Sequence, residues 1–325
     1  MSVIVFAENW SGKFKKSTFE AVSYGAETAK MLGASVTAVV IGNVSDEDLK
    51  SLGKYGATRV LSVKNDKLNE LVPQAYAGII AQAAQKEGAK AVIISYTYSG
   101  KALAGRVAVK LKAGLVAGAT ALPKSVSPFT VRKKCFSGKG LTDVTVHSDI
   151  KTIAITPNSY QVNAGSGEAS VESFSPSLTD ADFGTVTKEV KKTSGKVVLT
   201  EAEIVVSAGR GLKGSENWSM VEELAEQLGA ATACSKPVAD VGWRPHHEHV
   251  GQTGITIGPN LYIAIGISGA IQHLAGVSSS KVIVVINSDK EAPFFKAADY
   301  GIVGDAFEVV PRLIEAVKKF KASHN

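Results

Sequence analysis

Two glycine-rich runs, Val250-Gly-Gln-Thr-Gly254 and Ile265-Gly-Ile-Ser-Gly-Ala-Ile-Gln-His-Leu-Ala-Gly276, hold residues suited to chemistry. Glycine lets backbone approach a planar ligand closely, Thr253 offers a hydroxyl, and His273 offers an imidazole that titrates near neutrality. Ser268, Gly269 and the next amides would form an anion nest where a short helix opens at Ser268. Each run also has a plainer reading. VGQTG fits a surface hairpin turn, and His273 fits a core histidine with its hydrogen bonds satisfied.

A third candidate, Gly209-Arg-Gly-Leu-Lys-Gly214, is a GxGxxG between an expected strand and an expected helix. Its amides and the helix N-terminus suit a pyrophosphate, and Arg210 adds a forked cation. The alternative is a tight strand–helix turn. The acid that usually ends the second strand and clasps an NAD ribose is missing; Ser235-Lys236 stand there instead. His246, His247 and His249 invite a metal reading that their irregular loop does not support. Cys135 and Cys234 lack the spacing of a metal ligand pair and are expected as small buried hydrophobes or strand residues, not a disulfide.

These residues need elements to position them. In the first half, apolar runs at Val3–Ala7, Ser35–Ile41, Arg59–Val63 and Ala91–Ile94 alternate with helical patterns over Ser17–Leu32, Val72–Lys86 and Ser99–Lys112. Ser45 followed by Asp-Glu-Asp reads as a helix N-cap. This alternation predicts an α/β fold with a mainly parallel sheet and right-handed crossovers. Val116–Leu122, Ser125–Phe136 and Thr142–Ser148 read as added antiparallel strands. Residues 158–195, rich in Ser, Gly and Thr, read as an extended connection paired at a sheet edge. A second α/β domain then runs from about Lys196 to Asn325, Rossmann-like, with strands at Glu203–Ser207, Ala230–Cys234, Leu261–Ile265 and Val282–Ile286. Its helices cover Ser215–Leu228 and Asp305–Lys319. The domains are therefore expected at 1–157 and 196–325.

At 325 residues the chain is long for one core, and 45% hydrophobic with 20% charged residues is ordinary globular composition. A net charge of +6 without Lys/Arg runs interleaved with aromatics reads as a solvated basic surface, so no nucleic-acid partner is expected. No spanning apolar segment or leader pattern is found, and Met1 leads at once into a strand. A cytoplasmic protein without membrane insertion is expected.

Taken together, GRGLKGSENW, VGQTG, GISGAIQHLAG, VVIN followed by Asp289, and EAPFFKAADYGIVGD resemble the α subunit of electron-transfer flavoprotein, the FixB type of nitrogen-fixation systems. The opening strand through Glu8, and Gly100-Lys-Ala-Leu with Arg106, are similar to the family too, so the resemblance covers effectively the whole chain. It implies an FAD held by the second domain. Arg210 and Ser235 would then contact the cofactor. Val250, Gly251, Gln252 and Thr253 would lie beside the isoalloxazine, with Thr253 as donor near N5. Ser268, Gly269, Ala270, Ile271, Gln272 and His273 would hold pyrophosphate and ring, His273 at the N1–C2=O edge. Asn287, Asp305 and Ala306 would reach the adenosine end. Where the family commonly has an arginine over the ring, this chain has Lys236, which keeps the charge but loses the stacking fork. His246, His247 and His249 fall in a variable loop of the family and are expected at the rim of the flavin entrance.

The resemblance implies an electron carrier without a substrate of its own. Flavin dehydrogenases such as the acyl-CoA type would be its donors in fatty acid oxidation, and a quinone oxidoreductase or another acceptor would follow. The partner would be a β subunit in a heterodimer. No nucleophile–base pair or proton-abstracting dyad shows in the sequence, which fits a carrier. Two other readings stay open: an NAD(P)- or FAD-dependent oxidoreductase with its own substrate, and a flavin-free scaffold.

Overall fold

The computed structural model describes residues 1–138, 140–185, 187–189 and 198–324. The chain divides into two compact units, Met1–Cys135 with Gly140–Lys192, and Thr193–Asn325 with Phe136–Lys139. Both are α/β with mainly parallel sheets. The expected start of the second domain at residue 196 lies outside the described residues.

In the first unit, β1 (Ser2–Phe6) leads through a hairpin of β2 (Asn9–Trp10) and β3 (Lys13–Phe14) into α1 (Lys16–Leu32). Then follow β4 (Ser35–Ile41), α2 (Asp46–Ser51), β5 (Arg59–Val63), α3 (Pro73–Lys86), β6 (Ala89–Ser95) and α4 (Tyr98–Lys110). The helices start where the sequence supplies a stop for their orphan amides: Ser45 Oγ accepts from the Asp48 N–H, α3 begins on a proline, and Thr97 Oγ1 accepts from the Gly100 N–H. All five residues of β1 are buried, as a parallel strand covered on both faces requires.

The rest of the unit meets expectation in part: the added antiparallel strands and the edge pairing are present, with differences in detail. β7 (Gly114–Ala119) is not part of an antiparallel set alone, because it runs parallel to β11 (Lys151–Ile155), a strand the sequence reading passed over. The long strand expected over Ser125–Phe136 is broken into β8 (Ser125–Val126) and β9 (Phe129–Cys135). Pro128 between them has no N–H for a ladder. β9 pairs antiparallel with β10 (Gly140–Val146), and β12 (Ser170–Ser173) pairs parallel with β5. The strand order is β10-β9-β7-β11-β6-β1-β4-β5-β12, with β8 beside β9. The stretch read as an extended connection paired at a sheet edge thus supplies this sheet's edge strand at Ser170–Ser173.

The second unit has a purely parallel sheet ordered β14-β13-β15-β16-β17, from β13 (Ile204–Ala208), β14 (Ala231–Cys234), β15 (Leu261–Ile265), β16 (Val282–Asn287) and β17 (Tyr300–Val303). Its helices are α5 (Ser219–Leu228), α6 (Lys236–Asp240), α7 (Ile271–Val277) and α8 (Ala306–His324). From β13 the chain moves outward to β14 and then crosses back to β15 on the other side. The order reverses there, and in such sheets the crevice beyond the carboxyl ends of the two diverging strands is where ligands bind.

Candidate functional site

A cleft of about 580 Å³ opens at that point of reversal, within the usual range of cofactor sites, roughly 300–1,000 Å³. Its base is a seam of bare backbone. A Cβ on Gly209 would lie 2.3 Å from the Gly266 carbonyl oxygen, and one on Gly211 would lie 2.7 Å from the Gly266 Cα. Only glycine lets the turns after β13 and β15 touch in this way.

The same seam settles how the GxGxxG is used. The N–H of Gly209 donates to Ile265 O (2.9 Å) and that of Gly211 to Gly266 O (3.1 Å). The amides of Leu212, Lys213 and Gly214 donate back into their own turn. They are therefore taken, and a 3₁₀ turn at Ser215–Trp218 separates the motif from α5. The motif is a tight strand–helix turn, not an amide cradle. What it offers the cleft is the exposed Arg210 side chain.

Ser235 and Lys236 enter at the end of β14. The Ser235 N–H donates to Ala208 O (3.1 Å), which ties it to β13, while its buried hydroxyl makes no capping hydrogen bond to α6. Lys236 is the first residue of α6, exposed on the cleft wall. Among the described residues neither Arg210 nor Lys236 has an ion-pair partner, so the wall carries two uncompensated cations.

The opposite wall is the 250–255 turn against α7. Val250 N–H donates to Cys234 O (3.0 Å), Gln252 N–H to Gln272 O (2.7 Å), and Ile255 N–H to His249 O (2.9 Å). The turn seats so closely that a Cβ on Gly276 would lie 2.5 Å from the Gly251 Cα. Val250 and Gly251 are buried; Gln252 and Thr253 stand exposed at the cleft mouth. From below, Arg244 forks onto Glu248 (2.7 and 2.6 Å), reaches Glu222 on α5 (2.9 Å) and lies 5.3 Å over the Trp218 ring. This anchor fixes the loop that carries the histidines. His246 and His247 are exposed and outside the cleft, whereas His249 is buried in its wall, not at the rim as expected. Burial pushes the His249 imidazole below its ordinary value, with Lys236 and His246 acting the same way and Asp240 opposing.

On the other strand end, α7 starts at Ile271 rather than at Ser268. Gly269 is left-handed (φ 80°), which a helix cannot include, and the Phe294 N–H donates to Ser268 O (3.1 Å). Ser268, Ala270 and Gln272 line the cleft; Gly269 is buried against Phe294, and Ile271 lies outside the lining. His273 does line it, but as a core residue. Its Nε2 is 2.8 Å from the buried Tyr262 hydroxyl, and its Nδ1 is buried without a well-formed partner, although the Val250 carbonyl favours a proton nearby. Burial first, and then His249, push its pKa down to about 4. The imidazole is therefore neutral at pH 7 and adds no positive charge to the cleft.

Asn287 ends β16 at the cleft, its amide donating to Ile267 O (3.0 Å) and its oxygen accepting from the Asp289 N–H (3.0 Å). Asp305 and Ala306 do not line the cleft. The Asp305 carboxylate accepts from the Phe307 N–H (2.9 Å) at the start of α8, and Ala306 is buried as that helix's first residue. The sequence reading missed Gly211, Pro237, His249, Gly266, Ile267 and Asp289 as cleft residues. Gly211 and Gly266 were inside motifs already singled out, and His249 adjoins the apolar Val250, a signal of inward orientation that its two neighbours lack.

Among the described residues no group of three His, Cys, Asp or Glu could hold a metal ion, and no helix is long and apolar enough to cross a membrane. Both cysteines are free; Cys234 is buried, and burial pushes its thiol up to about 12.

Comparison with known proteins gives two family matches. The electron transfer flavoprotein domain matches residues 3–179, and the electron transfer flavoprotein FAD-binding domain matches residues 198–278. The chain is 39% identical to the electron transfer flavoprotein subunit alpha of Syntrophomonas wolfei over 316 residues, which is 97% of this chain and 98% of that one. It is 40% identical to the subunit alpha of Bacillus subtilis over 98% of this chain and 97% of that one. It is 35% identical to the protein FixB of Clostridium saccharobutylicum over 98% and 96%.

Proposed function

We infer the role from a premise the comparisons establish: the chain belongs to the electron transfer flavoprotein α-subunit family. FAD is its cofactor, and residues 198–278 are the FAD-binding domain. We propose that it works as the α subunit of a heterodimer with a β subunit, in the cytoplasm. The complex takes electrons from flavin dehydrogenases, such as the acyl-CoA type of fatty acid oxidation, and passes them to a quinone oxidoreductase or another acceptor.

The residues present fit the cofactor. A dinucleotide with an anionic pyrophosphate and a planar ring asks for cations, hydroxyls and close backbone on one wall. The cleft supplies Arg210, Lys236, Ser235, Ser268 and the Gly251 turn. FAD, when bound, supplies the reversible uptake of electrons. Arg210 and Ser268 would hold the pyrophosphate, and Asn287, its amide tied to Ile267 and Asp289, would lie toward the adenosine end. Ser235, Lys236 and the Val250–Thr253 turn would face the ring, where Thr253 would offer its hydroxyl, and the Gln272 carbonyl buttresses the turn by accepting from the Gln252 N–H. The positive field comes from Arg210 and Lys236, while the neutral His273 closes the floor and excludes water.

The observation that carries this reading is the pair of unpartnered cations facing bare glycine backbone in one cleft at the strand reversal. The occupied amides of the GxGxxG speak against a pyridine-nucleotide dehydrogenase, which would need them. Co-purification with the β subunit, flavin counting and reductive titration test it. One FAD per cleft, reduced by a flavin dehydrogenase and without NADH turnover by the complex alone, is the expected result. A colourless heterodimer that takes up no added FAD would overturn it.

A further inference from the structure

We propose that His249 is a further cofactor-contacting residue, its imidazole meeting the imide edge of the flavin ring, the C2=O, N3–H and C4=O side of the isoalloxazine. The proposal deepens the FAD reading above and rests on it.

The three histidines of this loop differ in their surroundings. His246 and His247 are exposed to solvent, whereas His249 is only 7% exposed and yet lines the cleft. Its main chain is pinned. The His249 N–H donates to His246 O (3.1 Å), its carbonyl accepts from the Ile255 N–H (2.9 Å), and the Val250 N–H donates to Cys234 O at the end of β14 (3.0 Å). Arg244 holds the preceding residue, Glu248, by two hydrogen bonds. Glycine makes room for the ring: a Cβ on Gly254 would lie 2.8 Å from Nδ1, and one on Gly251 would lie 3.4 Å from Nε2. Two bare positions of VGQTG thus seat this imidazole against the turn.

What the ring lacks is a partner. Among the described residues, no donor or acceptor is hydrogen-bonded to either nitrogen of His249. His273 is the contrast, because its Nε2 already has the Tyr262 hydroxyl at 2.8 Å. A buried polar group is costly to leave unpaired, so one that faces a ligand cleft marks where the ligand completes the bonding.

Charge and place decide which part of the ligand does so. Burial first, then Lys236 from α6 and His246 from the same loop, hold the imidazole below its ordinary range, and Asp240 from α6 opposes them. His273, from α7, is the other titratable neighbour and is itself neutral. A neutral imidazole carries one donor and one acceptor. The pyrophosphate offers acceptors alone, and on the reading above it lies with Arg210 and Ser268. The imide edge alternates carbonyl oxygens with an N–H and lies on the side of Lys236 and the 250–253 turn, so the neutral ring of His249 complements it.

The test uses the heterodimer with FAD and with 3-methyl-FAD, in which a methyl replaces the N3 hydrogen. Wild type is expected to retain FAD about tenfold better than the methylated form, and in His249→Leu that preference should shrink by about fivefold or more, the worth of one hydrogen bond. A contact that only supports the fold would weaken both dinucleotides alike. A second measurement needs no variant: in wild type labelled with ¹⁵N-histidine, the ring nitrogens of His249 should shift on addition of FAD, and less with 3-methyl-FAD. An undiminished preference in His249→Leu, or His249 nitrogen resonances that FAD leaves in place, would overturn the proposal. Absence of FAD from the wild-type heterodimer would instead overturn the functional reading, so the two failures are distinguishable.

Discussion

Each unit of this chain ends its strands in a crevice, and the two differ in charge and in how they treat their own polar groups. Beside the ends of β1 and β4 a cavity of about 470 Å³ is lined by residues that include Glu8, Asn9, Asn43, Asn69 and Glu70, with no lysine or arginine among the described residues of its lining. Its polar groups are largely spoken for: Glu8 accepts from the Thr97 hydroxyl (2.7 Å), which also caps α4, and the Asn9 amide spans Ile41 O and the Gly12 N–H. The cleft of the second unit has Arg210 and Lys236 without ion-pair partners and a Ser235 hydroxyl that caps nothing, with Asp289 as its carboxylate. A similar architecture thus provides two openings of similar size. On the proposed reading, Coulomb's law rather than volume favours the second opening for a dianionic pyrophosphate.

The largest effect is expected where the second cleft is closest to clashing with itself. Gly209→Val puts a Cβ 2.3 Å from the Gly266 carbonyl oxygen and should destabilise the chain by roughly 3 kcal/mol or more, with loss of flavin, in a thermal melt monitored by flavin fluorescence. Next, Arg210→Ala should weaken FAD retention by roughly 30- to 100-fold, about 2–3 kcal/mol, increasingly so at low salt; retention within threefold of wild type would remove the charge argument.

The third prediction concerns acid. His273 titrates near 6.5 when unfolded and at about 4 when folded, so between these values the unfolded state binds more protons and stability falls as pH falls. At pH 5 the deficit relative to pH 8 should be about 2 kcal/mol, and denaturant titrations of His273→Gln should lack that part of it. A smaller change is expected from Lys236→Arg, which restores a planar fork: flavin retention up to about fivefold tighter, from a cation–π contact worth roughly 0.5–1 kcal/mol. The smallest is Glu8→Gln. Its effect on flavin retention should be nil, while the α4 cap loosens by a few tenths of a kcal/mol in a thermal melt, roughly the low end of one hydrogen bond, which sharpens the contrast between the two crevices.

The sequence made the sheet cores legible because burial on both faces leaves unbroken β-branched runs, as at β1, β4 and β5. It hid β17, all four of whose residues are exposed at the sheet edge, and β11, a five-residue strand opening on a lysine. The cleft was legible as motifs, since Arg210, Ser235, Lys236, the 250–253 turn and Asn287 do meet. The fate of individual donors was not. Whether the amides of Gly209 and Gly211 point at a ligand depends on carbonyls at residues 265 and 266, more than fifty positions away. Whether His273 is charged depends on its burial in the core and on His249 beside it. Periodicity and spacing carry no record of either.

The central claim is that FAD occupies the cationic crevice and leaves the acidic one alone, and hydrogen exchange of the chain with its proposed β partner, with and without FAD, tests it most directly. Slower exchange is predicted in the segments around 210, 235–236, 250–254 and 266–273, with none around Glu8–Gly12 and Asn43. Protection centred on the first unit's crevice, or equal exchange with and without FAD in a yellow complex, would contradict it.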